Sequence, residues 1–567
     1  MQEKVVVIGG VAVGAKAACR YKRLQQNASV TMIDKDEYIS YGGCGIPFYV
    51  AGDVNDETQL RSTSFHMTRD EAFFLKDKGV TALAGTEATR IDRTNKTVHV
   101  RKKNGNEDDI PYDKLVIATG SIPRHLDIPG TSLGNVFNVS SLKDAITIKQ
   151  RITEGSINSA VIIGAGFIGL EMAQALADMW EIETTVIEYF DQIMPGFISK
   201  TFSMMGQHIM EEKGVHFRLN EEVQAIEGNT LVNSVRTNKG IVKADMVIIS
   251  AGVIPNTVLA KEAGIKTSET GHIIVNDKMQ TSDPDIFAGG DCVQIKNMVT
   301  DKPFYLPLGS MANRQGRVIG TNLAGGSARF EGAAGSFVIK IFDRSIAGAG
   351  LSVEGAKKEG FDAISVQVAQ FDRAHFYPEK EIIYLELVTD RKTRRVLGIQ
   401  GVGGEGSEMV GRINAVASLV AAKAKVEDVS NLELAYSPPF ASAMDIVNAV
   451  ANATDNCLNG LHRPIRVEEF IKCWESRDSG KYFFLDCRAS ADGKPFEERF
   501  PKIWKNIPHD QLQDRIDEIP KDKTLILICN TGVRSYETQI NLAAHGITDT
   551  FNTGMGMSGI KACGVKF

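Results

Sequence analysis

Along this chain of 567 residues, short unbroken runs of β-branched and other apolar residues are followed by glycine turns and then by stretches of helical pattern. Lys4 to Ile8 is such a run, without the polar alternation of a half-exposed strand, and it predicts a parallel strand buried on both faces. Glycines follow at once; residues 15–26 then read as a helix, and Ser29 to Ile33 as a second strand ending at Asp34. The same order returns with a strand at Ala160 to Ile163, glycines within 164–169, a helix, and a strand at Thr184 to Ile187 ending at Glu188. Each copy predicts a βαβ unit. From about Gly326 the pattern changes: runs at Phe337 to Phe342, Ile382 to Val388 and Val396 to Val402, with two helices, predict an α+β region. Asn, Asp, Gly and Pro cluster at 453–464 and predict a linker. Beyond it, the segment 482–488 and the strand Thr524 to Ile528, which runs through a loop into a helix, predict a last α/β domain.

A chain of this length has room for roughly three or four domains. Charged residues make up 24% and the formal net charge is -6, which argues against a nucleic-acid footprint. No run of about 18 apolar residues suggests a membrane span, and the N-terminus lacks the apolar core of a signal peptide, so the cytoplasm is the expected location. The eight cysteines are sparse and none forms a Cys-x-x-Cys pair, so neither a structural metal nor a disulfide framework is expected.

The chemistry begins at the glycines. Gly9-Gly10-Val11-Ala12-Val13-Gly14 lies at a strand-to-helix turn, where the backbone can approach a pyrophosphate set on the helix N-terminus. The carboxylate of Asp34, followed by Lys35, stands where ribose hydroxyls would be held. Gly164-Ala165-Gly166-Phe167-Ile168-Gly169 is the complete fingerprint, and Glu188 in the ribose position favours NADH by repelling a 2′-phosphate. Two dinucleotide sites in one chain imply an electron relay between cofactors, for which flavin is the usual choice.

Two cysteines stand in reactive settings. Cys44, in Ser40-Tyr41-Gly42-Gly43-Cys44-Gly45, is flanked by glycines that let a ligand approach the sulfur. Arg20, Lys22 and Arg23 on the first helix are expected to lower its pKa and to attract a polyanionic thiol. Cys529 opens the loop Cys529-Asn-Thr-Gly-Val-Arg534-Ser535 between a strand and a helix, a cradle of backbone N–H groups that favours a thiolate or persulfide anion. Cys487 and Cys563 lack such a loop and read as small hydrophobes.

With two further paired segments, Leu115 to Pro123 (containing Thr119 and Gly120) and Val247 to Pro255 (containing Gly252), and a strand closing on Gly290-Asp291, residues 1–450 resemble the FAD-dependent pyridine nucleotide-disulfide oxidoreductases. The resemblance implies a discontinuous FAD domain at 1–115 and 250–325, an NADH domain at 116–249, a dimerisation domain at 326–452 and a homodimer, with Asp291 on the flavin's ribityl chain. Five residues beyond Cys44 stands Tyr49, not the second cysteine of the glutathione reductase type, and Ala12 occupies the place of the histidine of the peroxidase and oxidase branch. What remains resembles the coenzyme A-disulfide reductase branch. That likeness implies a coenzyme A site at Arg20, Lys22, Arg23, Ser40 and Lys76, with Tyr436 and Tyr377 reaching a partner's cysteine. Gly43 replaces the branch's usual Asn, and Phe376 the first of two usual tyrosines. Residues 465–567 resemble a single-domain rhodanese through Leu-Asp-Cys-Arg, Asn-Ile-Pro and the pair Cys529 and Arg534. The expected enzyme therefore draws electrons from NADH to reduce persulfide, polysulfide or coenzyme A disulfide at Cys44. The alternatives are an NADH oxidase or peroxidase cycling through a sulfenic acid at Cys44, and a redox-sensing interaction protein whose last domain only docks.

Overall fold

Lys4–Ile8 is the middle strand of a five-stranded parallel sheet in the order Ile286–Ala288, Lys114–Ile117, Lys4–Ile8, Ser29–Ile33, Thr81–Leu83. It carries helices, and Val5, Val6 and Val7 are almost wholly buried, as the absence of polar alternation requires. The computed structural model describes residues 2–567. It divides into two compact units, one formed by the chain up to Tyr189 with Gly214–Ala333, the other by Phe190–Lys213 with Ala334–Phe567.

The first helix, Val13–Leu24, starts two residues earlier than the apolar pattern implies and takes Gly14 inside it. A Cβ on Gly14 would lie 1.8 Å from the Gly9 carbonyl oxygen and 2.8 Å from Val7 Cγ1, so glycine here is what lets the helix pack against the strand it follows. Gly169 repeats the arrangement, its missing Cβ falling 2.0 Å from the Gly164 oxygen. That second copy lies in the other parallel sheet of this unit, ordered Val215–Arg218, Glu183–Ile187, Ser159–Ile163, Met246–Ile249, Val136–Asn138. Ser121–Pro123 and Val253–Pro255, the paired segments of the sequence, join as a two-stranded antiparallel ribbon where the chain passes between the two sheets.

The second unit holds a five-stranded antiparallel sheet, ordered Phe337–Ile341, Arg344–Gly350, Val396–Gly404, Ile382–Asp390, Ala363–Phe371. Two of its strands, Arg344–Gly350 and Ala363–Phe371, were not expected from the sequence. The glycine and alanine content hides the first, whereas the alternation AISVQVAQF of the second is itself a strand signal. Helix Lys200–Glu212 belongs to this unit, not with the rest of 116–249: Gly206 fits between Ile193, Ile341 and Ile346.

The expected linker at 453–464 is corrected. Helix Ile446–Leu458 runs through its first half, because Ala451, Thr454 and their neighbours continue an apolar stripe against the sheet. Only residues 459–463 connect that helix to the strand Pro464–Ile465. The last domain is a parallel sheet, ordered Pro464–Ile465, Thr550–Thr553, Thr524–Ile528, Tyr482–Asp486, Trp504–Asn506. It is docked on the antiparallel sheet. Arg466 pairs with Glu354 at 2.8 Å, Tyr384 donates to the Ser558 carbonyl at 3.3 Å, and a Cβ on Gly554 would stand 2.6 Å from the Gln367 carbonyl oxygen. The Leu-Asp-Cys-Arg and Asn-Ile-Pro motifs meet in its core: Arg488 binds Asp486 at 2.7 Å with both side chains buried, and Asn506 donates to the carbonyls of Asp486 and Arg488, each at 3.0 Å.

Candidate active site

The two glycine loops are built alike down to their acids. Gly10 N–H donates to Asp34 Oδ2 at 2.7 Å, and Ala165 N–H donates to Glu188 Oε2 at 2.8 Å, so each strand-end carboxylate is held at the mouth of its own loop. Asp34 also accepts from Asp36 N–H at 2.9 Å, and burial raises its pKa above the ordinary carboxylate value. Lys35 beside it is exposed. Gly9 has φ +104°, and a Cβ there would stand 2.1 Å from the Ala118 oxygen; the turn therefore offers bare backbone to a phosphate group. Thr119 donates to the Asn256 carbonyl at 2.5 Å, and Gly120 and Gly252 have φ +66° and +95° at the ribbon that joins the sheets. Gly290 takes φ +83° and its N–H donates to Gln315 Oε1 at 2.7 Å, which turns the chain so that Asp291 is half-buried, accepting from Ser121 at 3.1 Å.

Cys44 lies in a short turn of 3-10 helix, Gly43–Gly45, that runs into helix Ile46–Ala51. The turn is pinned from both sides: Ser40 N–H donates to the Gly10 carbonyl at 2.9 Å, and Gly42 N–H to that of Leu60, also at 2.9 Å. Cys44 is exposed. Its sulfur rests against the first residue of helix Gly309–Leu323, since a Cβ on Gly309 would lie 3.4 Å from Sγ. That N-terminus favours a thiolate, but desolvation by the surrounding chain and the carboxylates of Glu171 and Asp291 outweigh it and raise the thiol pKa. The expected lowering by Arg20, Lys22 and Arg23 is thus reversed, because the charges that reach the sulfur are acidic. Glu171 itself is pushed up to about 7 by burial. This residue stands two positions after Gly169, where the helix leaving the nucleotide turn presents it, and no sequence pattern marks it. Replacing it is expected to show: Glu171→Gln removes a charge that forms as pH rises through about 7, so the Cys44 thiol should titrate lower and alkylate several-fold faster at pH 8. Iodoacetamide labelling across pH measures this, and an unchanged profile would refute the coupling.

Residues 3–316 match the family described as pyridine nucleotide-disulphide oxidoreductase, and residues 337–447 its dimerisation domain. The chain belongs to this family. Among curated relatives, the "NAD(P)H sulfur oxidoreductase (CoA-dependent)" of Pyrococcus furiosus is 36% identical over 448 residues, covering 78% of this chain and 97% of that protein. The solved "NAD-Dependent Persulfide Reductase from A. fulgidus" aligns with a TM-score of 0.92 at 38% identity over 98% of this chain and 99% of its own. A "FAD-dependent pyridine nucleotide-disulphide oxidoreductase from Desulfovibrio vulgaris" aligns with a TM-score of 0.66 at 46% identity, over 80% of this chain and all of its own. Two glycine loops, each with a strand-end acid at its mouth, suit the FAD and the nicotinamide nucleotide that the family binds.

The basic residues sort into two kinds. Lys22 donates to the carbonyls of Gln26 and Ala28 at 2.7 and 2.6 Å, so its ammonium is engaged by the loop that follows its own helix. Arg20 donates to Thr321 Oγ1 at 3.1 Å. Arg23 and Lys76 are exposed, and the packing of helix Glu71–Lys78 beside Val13–Leu24 adds Lys78 to them, a neighbour the sequence did not indicate. Ser40 is buried and has φ +52°. In the second unit Tyr377 is half-buried, with Arg373 6.0 Å from its ring. Tyr436 is exposed beside Phe440 and Met444, and their segment joins that of Phe376 through the bond from Ala374 N–H to the Pro438 carbonyl.

Cys529 ends the central strand of the oxidoreductase's last domain and is 1% exposed. Gly532 N–H donates to its sulfur at 3.1 Å, and Ser535 Oγ lies 3.3 Å away. Ser535 donates to Asn552 Oδ1 at 2.6 Å, and Asn552 Nδ2 is 2.8 Å from Nε2 of His462, whose pKa burial lowers to about 4. A neutral histidine thus orients the amide that orients the hydroxyl on the sulfur. Neither Asn552 nor His462 was legible beforehand, since they lie 90 residues apart in the chain. Arg534 is half-buried on the first turn of helix Val533–Ala544.

Proposed function

We propose that this oxidoreductase is a homodimeric, cytoplasmic NADH-dependent reductase of persulfide, polysulfide and coenzyme A disulfide, with Cys44 as its redox thiol and Cys529 as a carrier of sulfane sulfur. The observation that carries the reading is Cys44, an exposed thiol at a helix N-terminus in the electrostatic field of Asp291 and Glu171, with a buried tyrosine at position 49 in place of a pairing cysteine. A lone redox thiol cycles through a sulfenic acid or, as proposed for Cys44, takes its second sulfur from a substrate. Relatives named for CoA-dependent sulfur reduction and persulfide reduction support that choice.

The Cys44 thiolate attacks a substrate sulfur, forming a mixed disulfide and expelling hydrosulfide from a persulfide or a thiolate from a disulfide. FAD held at Gly9, Gly10, Ala12, Gly14, Asp34 and Asp291, and NADH held at 164–169 and Glu188, would when bound supply the two electrons that return the mixed disulfide to thiols. Arg20, Arg23 and Lys76 supply positive charge for a nucleotide-bearing thiol. Tyr436, on the exposed aromatic patch of the dimerisation domain, is assigned the proton given to the departing thiolate of the partner's site. No helix among the described residues is long and apolar enough to cross a membrane.

A panel of coenzyme A persulfide, glutathione persulfide, inorganic polysulfide and coenzyme A disulfide, with NADH loss and sulfide release followed together, tests the proposal. Hydrosulfide formed one-for-one with NADH on a persulfide supports it; oxygen uptake in place of sulfide release would establish the oxidase reading. Glu188 yields a separate expectation. Held at the mouth of the second loop, it should favour NADH over NADPH at least roughly tenfold in kcat/KM, about 1.4 kcal/mol. Glu188→Ala should narrow the ratio, and equal efficiencies in the parent would reverse this reading.

A further inference from the structure

Cys487 was read from sequence as a small buried hydrophobe, and its 0% exposure agrees with that. Its position asks for more. Tyr482–Asp486 and Thr524–Ile528 are adjacent parallel strands in register from Tyr482 opposite Thr524 to Asp486 opposite Ile528, and Cys487 N–H still donates to the Ile528 carbonyl at 2.7 Å. The next residues in register are therefore Cys487 and Cys529. Neighbouring strands run about 4.8 Å apart, and residues in register on parallel strands point to the same face. Leu485, Cys487, Leu525, Leu527 and Cys529 indeed share one hydrophobic cluster. A separation of that order falls within the roughly 4.4 to 6.8 Å between Cα atoms that a disulfide spans.

One helix serves both sulfurs. Ser535 Oγ lies 3.3 Å from Cys529 Sγ and Thr538 Oγ1 lies 3.3 Å from Cys487 Sγ; the two hydroxyls are three positions apart on Val533–Ala544 and so face the same way. Burial raises the pKa of the Cys487 thiol to about 12, and a charge on Cys529 adds to the rise. A structural cysteine needs none of this, and nothing in the reduction at Cys44 uses it.

We infer that Cys487 is a resolving thiol for Cys529: it attacks the Cys529 persulfide at Sγ, forms a Cys487–Cys529 disulfide and releases the outer sulfur as hydrosulfide. The step rests on the reading of Cys529 as a sulfur carrier. It balances without a further oxidant. The new bond joins the two cysteine sulfurs and the bond between Cys529 Sγ and the outer sulfur breaks. The outer sulfur leaves with the electron pair and takes the proton given up by Cys487. Sulfane sulfur is reduced to sulfide while two thiols become a disulfide, which two equivalents of a small thiol return to the starting state. Thr538, which can turn its hydroxyl between the Arg534 carbonyl at 2.9 Å and Cys487 Sγ, is the group that accommodates loss of that proton. The last domain would then release sulfide by itself, and would shut off its own sulfur transfer whenever sulfane sulfur outruns the thiol supply.

The test uses the full FAD-loaded protein without NADH. After reduction and desalting it is given inorganic polysulfide, then alkylated and peptide-mapped, with sulfide measured. The expected result is a peptide cross-linked through Cys487 and Cys529, removed by dithiothreitol, and in Cys487→Ala and Cys487→Ser a Cys529 peptide that keeps one extra sulfur and forms no cross-link. A parent protein whose Cys529 keeps its extra sulfur without cross-linking would overturn the inference while leaving the carrier role intact. A Cys529 that gains neither sulfur nor a cross-link in parent or variants would overturn both.

Discussion

Cys44→Ser should yield a protein that binds FAD and is reduced by NADH yet passes no electrons to any sulfur substrate, with kcat/KM falling roughly 10³-fold or more, at least about 4 kcal/mol of transition-state stabilisation. The size follows from the site. The nucleophile is the sole thiol in that turn, its neighbour at position 49 is tyrosine, and serine can neither attack a sulfur at neutral pH nor form a disulfide with it. The fold should survive, because Cys44 is exposed and the turn is held by backbone bonds from Ser40 and Gly42. FAD content and anaerobic bleaching by NADH are the controls that separate lost chemistry from lost structure. Appreciable NADH-linked persulfide reduction in this variant would end the single-thiol mechanism.

Cys529→Ser should divide the substrates. Reduction of coenzyme A disulfide, which needs only Cys44 and the basic site, should continue, while sulfide release from inorganic polysulfide should fall roughly tenfold or more, since the carrier of sulfane sulfur is gone. A flexible linker at 453–464 would carry sulfur between sites by raising effective concentration. The structure replaces that picture. Only residues 459–463 connect the domains, and the last domain is fastened to the antiparallel sheet by Arg466 to Glu354 and Tyr384 to Ser558. The last domain is thus held on its own unit, and lengthening 459–463 should leave polysulfide reduction unchanged. Steady-state rates with both substrates in the same preparation decide the matter; equal loss on both, or on neither, would remove Cys529 from the route.

Both glycine loops, the strands that feed them and the acids that close them were legible from the sequence, because a dinucleotide turn imposes its demands on consecutive residues: no Cβ at Gly9 or Gly14, a carboxylate at Asp34 or Glu188, apolar runs on either side. The lone cysteine was legible for the same reason, by what stands at Tyr49. Local pattern also carried the wrong inference at 453–464, where polar residues on the outer face of helix Ile446–Leu458 read as a linker; only the sheet against which that helix lies makes its inner face visible.

What the chain order could not convey is which charges meet which thiol. Basic residues twenty-odd positions before Cys44 suggested a lowered pKa, yet folding commits Lys22 to the loop that follows its own helix and brings Glu171 and Asp291 to the sulfur, so desolvation and acidic neighbours prevail. Cys487 stands beside Cys529 because parallel strands set them in register, and the chain from Cys529 through Ser535 and Asn552 to His462 joins a helix, a strand and the 459–463 segment. Periodicity and glycine placement act along the backbone and are written there; electrostatics and thiol proximity act through space, and the tertiary structure alone decides them.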